Sequence, residues 1–115
     1  MESKLKARLT EYTELSAFSA RAKECDHHLI FGNGLRKLAD DDGLTIPLTH
    51  YEHNTGSITS RIHDNPAAEK LSKMLGQVAF EKEFYRSALE ALKELDEDDD
   101  PAREVFRERY GISYL

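Results

Sequence analysis

Between Cys25 and Pro66 the chain reads CDHHLIFGNGLRKLADDDGLTIPLTHYEHNTGSITSRIHDNP, a stretch that leaves few ways to fold. Its apolar content is confined mainly to two short runs, Leu29-Ile30-Phe31 and Leu44 to Leu48. Gly32-Asn33-Gly34 follows the first run, which suits a strand ending in a turn that needs positive φ. Leu35 to Asp41 fits a short helical turn that Gly43 breaks. Pro47 lies inside the second run and cannot donate a ladder hydrogen bond, so that strand belongs on an edge or at a bulge. Two such strands make a hairpin. A hairpin is marginal alone and needs a helix packed across it.

The sequence supplies that helix next. Asn65 is a good N-cap, and Pro66 fits the first helical position, where its missing N–H is no loss. From there Leu71, Met74, Leu75, Val78, Tyr85, Ala88, Leu89 and Leu92 recur at three- and four-residue spacing, predicting an apolar stripe that faces the core. Gly76 within the stripe allows the hairpin to come close. The helix should fade in the run Asp96 to Asp100, where repulsion and the helix dipole both oppose it. Pro101 starts a last short helix with Val105, Phe106 and Tyr110 for docking and Gly111 as its stop. The tail Ile112 to Leu115 is apolar enough to pack on the body or on a second subunit, as in a homodimer. Residues 3–23 lack Gly and Pro and place Leu5, Leu9, Tyr12 and Leu15 roughly on one face, predicting an N-terminal helix that covers the central unit. The expected class is α+β, a mainly helical single domain over residues 1–115. Its ββα core spans about 25–95, and a C-terminal helix and tail occupy 101–115.

At 115 residues there is room for one modest core. No apolar run approaches the roughly 20 residues of a membrane helix, and the N-terminus MESKLKARLT has no apolar signal-peptide region. A cytoplasmic protein with no membrane association is expected. One cysteine, Cys25, allows no internal disulfide and no Cys₄ or Cys₂His₂ zinc site. The net charge is −6, but the five acids from Asp96 to Asp100 leave the remainder at −1. That balance argues only weakly against a nucleic-acid partner, whose affinity depends on where basic groups are placed.

All five histidines fall inside the Cys25–Pro66 stretch, at the ends of segments. His27 and His28 precede the first apolar run, His50 and His53 follow the second, and His63 stands just before the helix start. This placement suggests a small metal site. Each residue also has a plainer reading, as core or exposed histidine, and His50 reads best as exposed or as a support to others. Asn54 also fits a turn towards Gly56. Glu52 alternates with His53 and is expected to point elsewhere.

Strand, loop, strand, histidine-rich segment and helix, in that order, resemble a small phage-type HNH nuclease of the His-Me finger or ββα-metal group. The resemblance is carried by CDHHLIFGNGLRKLADDDGLTIPL, by His53-Asn54, by IHDNPAAEKLSKMLGQVAFEKEF and more loosely by AREVFRERYGISYL, over roughly residues 20–115. It implies His27 as a metal ligand, His28 as general base, His53 as second ligand and His63 as candidate third. Two departures from the family pattern stand out. Thr49 and Glu52 occupy the positions of a zinc knuckle, so no structural zinc is expected. The family's middle asparagine falls near Gly43-Leu44, where there is none, leaving Asn33 or Asn54 as supporting substitutes.

The chemistry suits these residue types. Phosphodiester hydrolysis needs a base to activate water and a cation to stabilise the developing charge. An imidazole with a pKa of about 6.5 serves the first need. Two or three imidazoles would hold a divalent ion for the second, Zn²⁺, Ni²⁺ or Mn²⁺ more naturally than Mg²⁺. Arg36, Lys37 and Arg61 flank the site and read equally as phosphate-binding groups or as solvated loop charge. The expected function is a metal-dependent DNA endonuclease or nickase. The alternative is a nucleic-acid-binding or recombination accessory module that keeps the scaffold without turnover.

Overall fold

The hairpin and its covering helix organise the molecule, and the α+β class is observed. The structure, a computed structural model, describes residues 7–91, 94 and 100–115. In chain order it contains β1 (Cys25–His28), α1 (Leu35–Asp41), β2 (Thr45–Leu48), a π-helical turn (Tyr51–Thr55), α2 (Pro66–Glu90) and α3 (Pro101–Tyr110). β1 and β2 pair antiparallel, with His27 opposite Ile46 and Asp26 opposite Pro47.

The first strand lies just before the apolar triplet that was expected to form it. Leu29 and Ile30 are both fully buried. A strand with one buried face alternates in and out, so two consecutive buried side chains require a bend, and the chain bends there. β1 is therefore CDHH, with His27 as its inward residue. Pro47 sits as expected on an open edge. Its carbonyl accepts from the Ala17 N–H at 2.8 Å on the side away from β1, and its missing N–H falls on that same side.

That edge is covered by the N-terminal segment, which is not the helix predicted for residues 3–23. Residues 7–23 run as turns with an isolated bridge between Leu15 and Ala22. Side-chain hydroxyls capture the backbone here. Thr10 accepts from the Tyr12 N–H, and Ser16 accepts from the N–H groups of Phe18 and Ser19. Such local bonds compete with helix, and Ala20 at φ 61° interrupts it outright. Residues 1–6 of that expected helix lie outside the described residues.

α2 starts as expected, with the Asn65 side chain accepting from the Ala68 N–H and Pro66 in the first turn. Its inward face is not the expected apolar stripe, of which Ala88 is buried as expected and Leu92 lies outside the described residues. Leu71 is 63% exposed and Leu89 73%, with Leu75 and Val78 also exposed. The buried positions are Ser72, Gly76, Gln77, Glu81 and Ala88. Close packing selects these residues: a Cβ on Gly76 would lie 2.8 Å from Ile30 Cγ1 and 3.1 Å from Leu29 Cβ. Longer polar side chains further along find partners in the C-terminal elements. Gln77 donates to Glu81 at 2.7 Å and to Ser113, and accepts from the Tyr114 N–H at 2.6 Å. Arg103 of α3 pairs with Glu81 at 3.3 Å.

α3 forms as expected, capped by the Asp100 side chain and stopped at Gly111 in the left-handed region. Phe106 and Tyr110 are buried and stack at 4.5 Å, whereas Val105 stays partly exposed. The tail packs on the body through Ser113 and Tyr114, and Tyr114 lies against the core. α2 ends at Glu90, and of the acidic run expected to end it only Asp100 lies within the described residues.

Gly76→Ala is expected to destabilise the protein despite the gain of about 1 kcal/mol from a better helix former. Overpacking typically costs about 1–3 kcal/mol, and the neighbours are a branched core side chain and a Cβ that cannot swing away. Leu71→Gln should change stability by less than roughly 0.5 kcal/mol, because its side chain already faces solvent. Thermal melts of both variants check the pair. A large loss for Leu71→Gln would contradict the assignment of the inward face.

Candidate metal centre

Three elements deliver the central side chains. His27 enters from β1, His53 from the π-helical turn and His63 from the loop before α2. The turn follows β2 directly, and the Glu52 carboxylate fixes it by accepting from the Thr49 N–H at 2.9 Å and from the Ser16 hydroxyl. Glu52 thus points away from the site as expected, though its partners Thr49 and Ser16 in a helical turn set its direction and strand alternation does not. Two cross-bonds close the loop on the turn: Ile62 N–H to Glu52 O at 3.0 Å and His63 N–H to His53 O at 3.1 Å.

The three rings meet. Ring centroids of His27 lie 5.1 Å from His53 and 5.2 Å from His63, and those of His53 and His63 are 4.6 Å apart. One nitrogen from each ring can be chosen so that all three lie within 4.8 Å of one another. The other nitrogen of each ring has a partner outside the cluster. His27 Nε2 is 2.7 Å from Ser72 Oγ, His53 Nδ1 is 3.5 Å from Cys25 Sγ, and His63 Nδ1 is 3.7 Å from Glu69 Oε2.

Counting donors fixes the tautomer of His27. The Ser72 hydroxyl donates its one hydrogen to the Leu29 carbonyl at 2.8 Å, so it accepts from His27 Nε2–H. The lone pair of His27 is then on Nδ1, which is buried without a partner. Burial raises the Cys25 pKa, with Asp26, Glu24 and Glu52 acting in the same direction, so the group is a thiol at neutral pH. Its one S–H has three acceptors in reach, the carbonyls of Leu48 and Thr49 at 3.6 and 3.8 Å and His53 Nδ1 at 3.5 Å; with the hydrogen on a carbonyl, the sulfur accepts from His53 Nδ1–H. The Glu69 carboxylate favours Nδ1–H on His63. His53 Nε2 and His63 Nε2 face each other at 3.0 Å, a distance that suits one N–H···N hydrogen bond in the metal-free protein or two lone pairs turned to a shared cation.

A cation between them would take a lone pair from each ring in place of that hydrogen bond. The cluster is therefore compatible with a divalent metal held by His27 Nδ1, His53 Nε2 and His63 Nε2. Three imidazoles with outer partners match the usual construction of such sites. Protonation states agree. Burial lowers the His27 pKa to about 3, with the neighbouring His53 and His63 adding to the effect. Burial and then His63 lower that of His53. Both rings are neutral at pH 7, as metal ligands must be.

Beside the cluster lies a cleft of about 450 Å³ lined by Asp26, His28, Phe31, Arg36, His53, Asn54 and His63. His28 ends β1 where the chain bends, which brings it to the same cleft as the ring cluster although its neighbour His27 is buried behind. Its Nε2 lies 3.6 Å from Asp40 of α1. Asn54 and Arg36 open on the cleft as anticipated. The other candidates lie elsewhere. Asn33 is exposed in the turn before α1, and among the described residues its side chain makes no hydrogen bond. Lys37 pairs with Asp41 at 3.7 Å along α1, away from the cleft lining. Arg61 is engaged within its own loop by the carbonyls of His63 and Gly56 and by Asp64, so it braces the loop that carries His63. His50 is exposed, as read from the sequence.

Sequence reasoning missed Ser72, Glu69 and Asp40, which touch the histidines from helices. Only the i to i+3 spacing of Glu69 and Ser72 on α2 was there to suggest that both face the hairpin. No family model, curated protein or solved structure matches the chain.

The neutral rings set a pH dependence for the metal-free protein. Above pH 6.5 His27 is neutral folded and unfolded, and costs nothing. Below 6.5 the unfolded chain takes up a proton that the folded state refuses until about pH 3, so stability falls progressively across that window. His53 acts in the same direction. Melts in chelator should show a falling Tm from pH 7.5 to pH 4.5, and His27→Gln should flatten that slope. An unchanged slope would contradict the buried neutral ring.

Proposed function

We propose that the chain is a metal-dependent DNA endonuclease or nickase of the ββα-metal type, with β1, β2 and α2 as its ββα unit. The observation that carries this reading is the convergence of His27, His53 and His63 beside a cleft onto which a fourth histidine, His28, opens. A divalent transition metal held by the three rings would supply charge stabilisation at the scissile phosphate. Zn²⁺, Ni²⁺ and Mn²⁺ suit three nitrogen ligands better than Mg²⁺ does.

His28 accepts a proton from the attacking water as general base. Partly exposed on the cleft that His53 and His63 also line, it can exchange that proton with solvent after each turnover. Asp40, at 3.6 Å, steadies the ring and offsets the charge it gains. It serves in place of the absent middle asparagine. Arg36 holds a phosphate oxygen on the cleft wall by a charge-assisted hydrogen bond, and Asn54 offers an amide to the same strand.

One observation favours the accessory-module reading. Asp26 lines the cleft about half exposed and sits where a phosphate chain would pass, with Lys23 at 3.5 Å offsetting its charge. A like-charged wall lowers affinity most at low salt.

Plasmid nicking with Mg²⁺, Mn²⁺, Ni²⁺ and Zn²⁺ tests the proposal. Conversion of supercoiled to relaxed DNA is expected with at least one transition metal, and His28→Ala should lower the rate on the order of 10²–10⁴-fold while leaving metal binding intact. Wild-type cleavage by His28→Ala would remove the base assignment. Salt-dependent DNA binding with no cleavage by any ion would favour the accessory module.

A further inference from the structure

The buried inward face of α2 carries a serine, Ser72, outside the apolar stripe that the sequence pattern predicted. Ser72 Oγ stands between two groups of β1 and its exit: His27 Nε2 at 2.7 Å and the Leu29 carbonyl at 2.8 Å. Both His27 and Ser72 are buried, so neither bond competes with water. The relay has one consistent direction. The carbonyl only accepts, so the hydroxyl donates to it, and the remaining lone pairs of Ser72 can take only an N–H from the ring.

We propose that Ser72 is a positioning residue that locks His27 in the Nε2–H tautomer and aims its Nδ1 lone pair at the point where His53 and His63 converge. The inference rests on the metal-centre reading for its purpose, though not for its geometry. A merely structural serine would satisfy the Leu29 carbonyl and leave the ring indifferent. Two features set Ser72 apart from that role. It reaches the ring at a short distance on the nitrogen facing away from the cluster, and the nitrogen it leaves over is buried with no other partner. Without the lock, a proton on Nδ1 would point into the cluster and oppose a cation there. Ligand orientation by an outer hydrogen bond is typically worth roughly 10–100-fold in metal affinity.

The experiment measures tautomer and metal affinity separately. Nitrogen-15 NMR of the metal-free wild type at pH 7.5 should show His27 as the Nε2–H form, and Ser72→Ala should show a mixture or the Nδ1–H form. Calorimetry with Zn²⁺ alone should show affinity falling roughly 10–100-fold in Ser72→Ala. Ser72→Thr, which keeps the hydroxyl, should restore both; Ser72→Cys, close in size but with a weakly hydrogen-bonding thiol, stands in with the same expected losses if the alanine variant does not fold. Retention of the Nε2–H form in Ser72→Ala would overturn the inference. So would Zn²⁺ affinity within twofold of wild type. A wild type that binds no Zn²⁺ but changes tautomer on substitution would remove the metal reading and leave the positioning role standing.

Discussion

The contact on which the rest of the structure depends is the close approach of α2 to the bend after β1, made at Gly76. A two-stranded sheet has little stability of its own, and here the helix lies so near that Leu29 and Ile30 reach its backbone. One turn earlier on the same face, Ser72 arrives within hydrogen-bond distance of His27. At the first turn Glu69 comes near His63, while the Asn65 cap fixes where the loop must end. Packing that joins helix to hairpin therefore also sets the spacing of the histidine cluster.

The inward face of α2 shows what that closeness demands. Where helix and hairpin touch, the residues are glycine and serine; further along, Gln77 and Glu81 reach the tail and α3 and have their polar atoms paired. Buried polar groups cost stability unless hydrogen-bonded, and these are bonded. Among the described residues the same principle isolates His27 Nδ1 as the exception, a buried nitrogen with no partner. An exception at the meeting point of two other imidazoles is better explained by chemistry than by packing.

Much of this was legible in the chain. Asn65-Pro66, Pro101 with Gly111, Gly43 and Pro47 act through local backbone chemistry, so the elements they bound fell where expected. His27, His53 and His63 stood out by their placement at segment ends, and the structure brings the three rings together. Other features depended on tertiary contacts that periodicity does not encode. Leu71, Leu75 and Val78 have helical spacing but face solvent, because the hairpin comes too close for large side chains on the other side. Residues 7–23 have good helix formers, yet their hydroxyls and the open edge of β2 offered better partners. Ser72 gave little signal, since its i to i+3 spacing from Glu69 carries no meaning until the neighbours of both are known.

The most direct measurement is diffraction at the metal's absorption edge from crystals grown with Zn²⁺ or Ni²⁺. One anomalous peak is expected between His27 Nδ1, His53 Nε2 and His63 Nε2, at about 2.0–2.1 Å from each nitrogen for zinc, with Ser72 still on His27 Nε2. Rings pointing apart around an empty centre at saturating metal, or an ion bound only elsewhere, would contradict the site and the nuclease reading that rests on it.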